Sequence, residues 1–198
     1  MKTCLLALAA GALLSTSAFG ALTVGDAAPA FTAPASLAGR AFDFSLKEAL
    51  SKGPVVVYFY PSAFTNGCNI QAHTFAVRHE QFRAAGASIV GVSLDSIARL
   101  NEFSADPLYC AGKIAVASDV DGRIARAYDL VVRDAAAGRR DTRGADIDHG
   151  FTERTTFVVT PDGRVAATVG GLSPAENVER ALDAVQKISR LPSQRKQP

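Results

Sequence analysis

The sequence predicts an α/β fold, a three-layer sandwich in which a central mixed β-sheet is flanked by helices. Three observations carry that prediction. Pro54-Val-Val-Val-Tyr-Phe-Tyr60 is a β-branched and aromatic run with no polar alternation, the pattern of a central strand buried on both faces. A helical pattern separates it from a second such run, Ala87-Ser-Ile-Val-Gly-Val-Ser93. Strand and helix patterns then keep alternating before a hairpin and a last helix, the order of layered α/β proteins. At 198 residues, 48% apolar and 20% charged, the chain can build one domain with a real core.

The elements follow in order. MKTCLLALAAGALLSTSAFG combines a positive Lys2, an apolar run from Cys4 to Leu14, and small residues with Ala18 and Gly20 placed for cleavage. The run is too short to span a bilayer comfortably. Residues 1–20 therefore read as a cleaved secretory signal, and 21–198 as one exported domain, periplasmic or secreted, without stable membrane insertion. Residues 21–41 are rich in Pro and Ala and read as an extended lead-in. Phe42 and Phe44 alternate with polar neighbours as a short strand, and 46–51 can form a helical turn. Pro61 stops the strand that ends at Tyr60. A helix then starts between Thr65 and Cys68 and runs to about Ala85, with Gly86 ending it. On it Ile70 and Val77, and Phe75 and Phe82, lie seven apart and predict an apolar stripe.

Past the 87–93 strand, residues 96–103 and 122–128 read as helices and 115–118 as a short strand. Residues 131–152 are polar, contain RRDTRGADIDHG, and read as a surface loop. Strands 155–159 and 165–169 are joined by the turn TPDGR. Ser173, Pro174 and Glu176 place a capping box at the last helix, whose buried stripe is Val178, Leu182 and Val185. SQRKQP is a basic tail.

Charge excludes some functions. Of 21 basic residues, removal of Lys2 leaves 20 against 19 acidic ones, so nothing points to nucleic acid. Cysteine is scarce. Cys4 leaves with the signal, and Cys68 and Cys110 remain. An exported chain with two cysteines is ordinarily read as holding one structural disulfide.

The position of Cys68 argues for something else. It falls in the first turn of a helix that follows a buried strand, where unpaired N–H groups and the positive end of the helix dipole favour an anionic sulfur. Thr65, one turn ahead, can donate a hydroxyl to that sulfur or to an oxygen bound beside it. Pro61 can wall the pocket. A fixed cation would complete the set, and Arg154, just before strand 155–159, is the best candidate.

Pro61, Thr65 and Cys68 match the PxxxTxxC motif of peroxiredoxins, and ERTTFVVTPDGRV resembles the segment carrying that family's active-site arginine. VVVYFYP before the motif and GASIVGVSLDS after it fit as well, so the resemblance runs from about Val24 to Val185. The pattern is nearest to bacterioferritin-comigratory-protein-like members. It implies a thioredoxin-like fold and a thiol peroxidase without metal or organic cofactor. Cys68 would attack the peroxide, with Thr65 and Arg154 as transition-state donors and Pro61 as the pocket wall. Cys110 would be the resolving cysteine, and an external thioredoxin-like dithiol would recycle the pair.

Two departures stand out. Many close relatives carry Glu three residues past the reactive cysteine, where this chain has Gln71, so Arg154 is expected to be held less tightly. His73 occupies the position of a nearby second cysteine in some relatives.

Other features carry less. Asp146, Asp148 and His149 could meet a cation, but such loops mostly face water. Asp119 and Asp121 read as turn and cap residues. His79 sits about 16 Å along the helix from Cys68, too far to be its base. His73 reads as a helix-surface residue, and Arg139, Arg140 and Arg143 as a solvated cluster. There is no CxxC, Walker or GxSxG pattern. The helix faces leave oligomeric state open, a homodimer included. The residues themselves also leave open a slow Cys68–Cys110 redox switch and a non-catalytic domain with a structural disulfide.

Overall fold

A computed structural model describes residues 20–135 and 137–190. The leader expected at 1–20 and the basic tail fall outside the described residues, apart from Gly20. In chain order the strands are β1 (Thr32–Leu37), β2 (Arg40–Ser45), β3 (Val55–Phe59), β4 (Ser88–Ser93), β5 (Ala115–Ser118), β6 (Val132–Arg133), β7 (Phe151–Thr152), β8 (Thr155–Val159) and β9 (Val165–Gly170). The helices are α1 (Leu46–Leu50), α2 (Asn66–Ala84), α3 (Ile97–Ala105), α4 (Arg123–Ala127) and α5 (Pro174–Arg190).

Seven strands form one sheet in the order β2-β1-β5-β4-β3-β8-β9, and β6 and β7 form a separate ladder. β3, β4 and β5 run parallel, while β1, β2, β8 and β9 join antiparallel, so the sheet is mixed. β3 lies inside the sheet with all five residues buried, as its unbroken apolar run requires.

The period of two along β3 divides the core. Val56, Tyr58 and Tyr60 face a layer holding α2, α3 and α5, with Phe75, Phe82, Leu100, Phe103, Val178, Leu182 and Val185. Val55, Val57 and Phe59 face α1 and α4, with Leu46, Ile124 and Tyr128. The Tyr58 ring stacks on Phe75 at 4.5 Å between centroids, pinning α2 against the strand that precedes it.

Three expectations need correction. Residues 32–37 of the lead-in form β1, whose small inward residues Ala33 and Ala35 hide the usual β-branched signal. Pro34 is tolerated there because β1 pairs with β5 only through Ala35 and Ser36. On α2 the two seven-spaced pairs lie about 140° apart around the helix, so one face cannot bury both. Phe75 and Phe82 are fully buried, whereas Ile70 and Val77 are 51% and 62% exposed. The 131–152 segment, expected as a solvated loop, closes through the β6–β7 ladder and buries Asp141 and Ile147.

The caps follow the sequence. Asp119 accepts from the Ile124 and Ala125 amides at the start of α4. Ser173 and Glu176 exchange backbone and side-chain hydrogen bonds at the start of α5. Ser173→Ala is expected to lower stability by about 1 kcal/mol, read as a shifted urea midpoint.

Candidate active site

The site forms where β3 runs out. Pro61 has no N–H to continue the ladder, and the chain turns through residues 61–65 into α2. Phe64 takes a left-handed φ of 59°, a strained conformation for a residue with a side chain. Thr65 is the N-cap of α2, yet its hydroxyl donates to the Ser62 carbonyl at 2.8 Å and caps no first-turn amide. It makes no bond to the sulfur, as the sequence allowed it to. The Thr65 oxygen still has acceptor capacity, and its donor would be freed only by exchanging the Ser62 carbonyl for another acceptor.

Cys68 lies in that first turn, 2% exposed. It is therefore set just below the surface and not at the mouth of an open pocket. Arg154, immediately before β8, reaches it across the helix start. Its Nη2 donates to Cys68 Sγ at 3.4 Å. Gly67 makes that approach possible, because a Cβ at 67 would stand 3.0 Å from Nη2.

The other nitrogen of Arg154, Nη1, donates to Gln71 Oε1. Gln71 Nε2 donates to Asn177 Oδ1 at 2.9 Å, Thr156 Oγ1 donates to the same oxygen at 2.6 Å, and Asn177 Nδ2 donates to the Val169 carbonyl at 2.9 Å. Gln71, Thr156 and Asn177 are each fully buried. Gln71 thus still holds Arg154, by a hydrogen bond and without a charge of its own. A dry chain of amides orients the guanidinium without a countercharge, which leaves its charge available to the sulfur.

Cys110 sits between α3 and β5 and is fully buried. Burial, with the nearby Asp106 carboxylate adding to it, pushes its thiol well up from the ordinary range. Cys68 and Cys110 share one apolar cluster with Tyr58, and both are free thiols. His73 is exposed and meets the Leu108 carbonyl at 3.0 Å, tying α2 to the turn that carries Cys110. His79 contacts Glu80 on the far part of α2.

Around the loop that leads to Cys68 lies a group of charged side chains that sequence reasoning did not assemble. Asp95, just past β4, is fully buried and bonds the Ala63 amide at 2.8 Å, while Arg99 of α3 bonds the Ala63 carbonyl at 2.9 Å. His149 is not a loop residue facing water but bonds Asp95 at 2.8 Å. Arg143 is not merely solvated either, since its guanidinium stacks 3.3 Å over the Phe64 ring. Arg140 pairs with Asp146 at the surface. Among the described residues no three His, Cys, Asp or Glu side chains converge as a metal site.

Residues 24–168, which carry the strand, the turn, Cys68 and Arg154, match the AhpC/TSA family. The chain belongs to the AhpC/TSA family. Among relatives, it is 29% identical to peroxiredoxin Bcp of Xanthomonas campestris over 132 residues, 67% of this chain and 76% of the relative. Among solved structures it is similar to peroxidoxin BcpB of Mycobacterium tuberculosis, with a TM-score of 0.70 and 26% identity over 84% of this chain and 98% of that one. A bacterioferritin comigratory protein from X. campestris matches with a TM-score of 0.63 and 29% identity over 79% of this chain and 92% of that one. The AhpC/TSA match includes Pro61, Thr65, Cys68, Gln71 and Arg154, and ends before Asn177.

Proposed function

We propose that this chain is a thiol-dependent peroxidase in which Cys68 is the nucleophile. The observation that carries the reading is the Arg154 guanidinium, oriented by Gln71 and directed at Cys68 Sγ. The X. campestris bacterioferritin comigratory protein, whose structures concern its alkyl peroxide reduction activity, supports the same chemistry.

The Cys68 thiolate attacks one peroxide oxygen. An S–O bond forms as the O–O bond breaks, and the leaving oxygen departs as water or an alcohol after taking a proton. The sulfur is oxidised to a sulfenic acid and the peroxide is reduced. Negative charge spreads from sulfur over both oxygens in the transition state; Arg154 Nη2, already on the sulfur, can stabilise it, and the Thr65 hydroxyl can join once it exchanges the Ser62 carbonyl for a peroxide oxygen. A largely dry site strengthens those interactions. Pro61 forms the start of the loop that walls this space.

The sulfenic acid then condenses with the Cys110 thiol, giving a Cys68–Cys110 disulfide and water. An external dithiol of thioredoxin type reduces that disulfide. Both thiols are buried, so an external dithiol reaches the oxidised pair only when the first turn of α2 or the 106–113 turn opens. Export of the chain, read from its leader, would require that dithiol to act in an oxidising compartment.

The reading is tested by peroxide consumption and by non-reducing electrophoresis of peroxide-treated protein. Wild-type protein is expected to shift in mobility and Cys110→Ser protein not to shift. If Cys110→Ser turns over normally with dithiols and the wild type never shifts, Cys110 has no resolving role. Gln71→Ala is expected to slow Cys68 oxidation about tenfold, the worth of one hydrogen bond that aims Arg154. Stopped-flow measurement with hydrogen peroxide checks this.

A further inference from the structure

The loop that presents Cys68 is held from outside. Its Phe64 backbone is strained, and the polar groups around it bond to a distant segment, 139–150. The Phe64 carbonyl accepts from Thr142 N and Thr142 Oγ1, both at 2.8 Å, and Arg143 covers the Phe64 ring. Arg99 joins Ala63 O to Asp141 Oδ2, with bonds of 2.9 and 2.8 Å. At the end of the segment, His149 closes on Asp95, whose other oxygen holds the Ala63 amide.

The hydrogen-bond pattern fixes the charge of His149. Its Nε2 lies 2.8 Å from Asp95 Oδ1, and its Nδ1 lies 2.7 Å from the Gly150 carbonyl oxygen. Asp95 also accepts from Ser62, Ala63, Ser93 and Arg99, the partners of an ionised carboxylate. Carbonyls and carboxylates only accept, so both ring nitrogens must carry hydrogen. The charged groups around the ring are Asp95 and, on α3, Arg99, with Asp141 beyond Arg99. Ser62 is the neutral neighbour at 3.3 Å, and Asp148 next in the chain is exposed.

We propose that His149 is a positioning residue, an imidazolium latch that fastens the 139–150 segment over the nucleophile loop and lets both loosen when it loses its proton. The latch stands on geometry alone, and only its effect on rate rests on the peroxidase reading.

The direction of the pH effect follows. Burial works against the charged ring, but the Asp95 hydrogen bond and charge, with the Gly150 carbonyl, outweigh it and hold His149 above its ordinary 6.5. A raised histidine contributes stability that is complete below about pH 6.5 and is lost as pH rises through the folded-state value. The latch is therefore closed in acid solution and opens as pH rises through the folded-state value, which lies above 6.5.

The test is native-state hydrogen exchange of the amides at 62–68, expressed as protection factors across a pH series, with the His149 ring titrated by NMR in the same samples. Wild-type protection is expected to fall in step with the ring. The total fall should be about tenfold for each unit by which the ring exceeds a free imidazole. His149→Gln has no proton to lose, and its protection should stay flat at the alkaline level of the wild type. A neutral ring at pH 6, a flat wild-type profile, or the same fall in His149→Gln would each overturn the latch. If the variant does not fold, the coincidence of ring titration and protection in the wild type decides. Cys68 oxidation by hydrogen peroxide, measured alongside, separates the two readings: inert Cys68 with an intact exchange profile removes the peroxidase and leaves the latch.

Discussion

Cys68→Ser protein is expected to fold as the wild type does and to consume no peroxide. Serine fits the space of cysteine, and its hydroxyl can still accept from Arg154, so the 2%-exposed position stays filled and partnered. Unfolding free energy should change by no more than about 1 kcal/mol. Catalysis should fall by a factor on the order of 10⁶, as when a nucleophile is deleted, because a neutral hydroxyl does not attack an O–O bond. Urea unfolding and peroxide consumption on the same preparation check both halves. The opposite pattern, an unfolded variant with a loss of about 2–5 kcal/mol, belongs to a structural disulfide. Both thiols are free in the folded chain, which forms its core without a bond between them.

Arg154→Met is expected to slow the oxidation of Cys68 by about 10²–10³, equivalent to roughly 2.7–4 kcal/mol of transition-state stabilisation. Methionine has similar length but no donor, so the sulfur loses its cationic partner and Gln71 Oε1 loses its own. Arg154→Lys should recover little. One ammonium group cannot span the Gln71 oxygen and the sulfur as the planar fork does. The loss should appear in the rate constant for reaction with peroxide and leave reduction of the oxidised protein by dithiol unchanged. Rapid mixing of reduced variant with peroxide, then of oxidised variant with dithiol, separates the two steps.

These predictions concern residues that sequence reasoning found, because each belongs to a local pattern. β3 announces itself by an unbroken apolar run, Pro61 by stopping it, and Cys68 by its place at a helix start. Arg154 is found by its position before the late strand. Other features were hidden for physical reasons. β1 was missed because Ala33 and Ala35 fill a narrow space where larger residues would signal a strand. The face of α2 was half misread because sequence spacing cannot say which of two apolar pairs the core accepts.

The support around the site was invisible because its parts are far apart in sequence. Gln71 and Asn177 meet across 106 positions, and Ser62 and His149 across 87. Taken alone, each looks like an ordinary polar residue. Gly67 gave a local hint, as a glycine in a first helical turn beside Cys68, but its meaning depends on where Arg154 ends. The 139–150 segment looked solvated because it is polar. Its polarity is spent on the Phe64 carbonyl and ring in the loop before Cys68 and on the Asp95 carboxylate beside it.

The most direct measurement mixes fully reduced wild-type protein with one equivalent of hydrogen peroxide, follows oxidation by stopped flow, and locates the added oxygen by mass spectrometry. The peroxidase account predicts that Cys68 gains the first oxygen atom, as a sulfenic acid, far faster than free cysteine reacts. Oxidation no faster than free cysteine, or oxygen appearing first on Cys110, would contradict it.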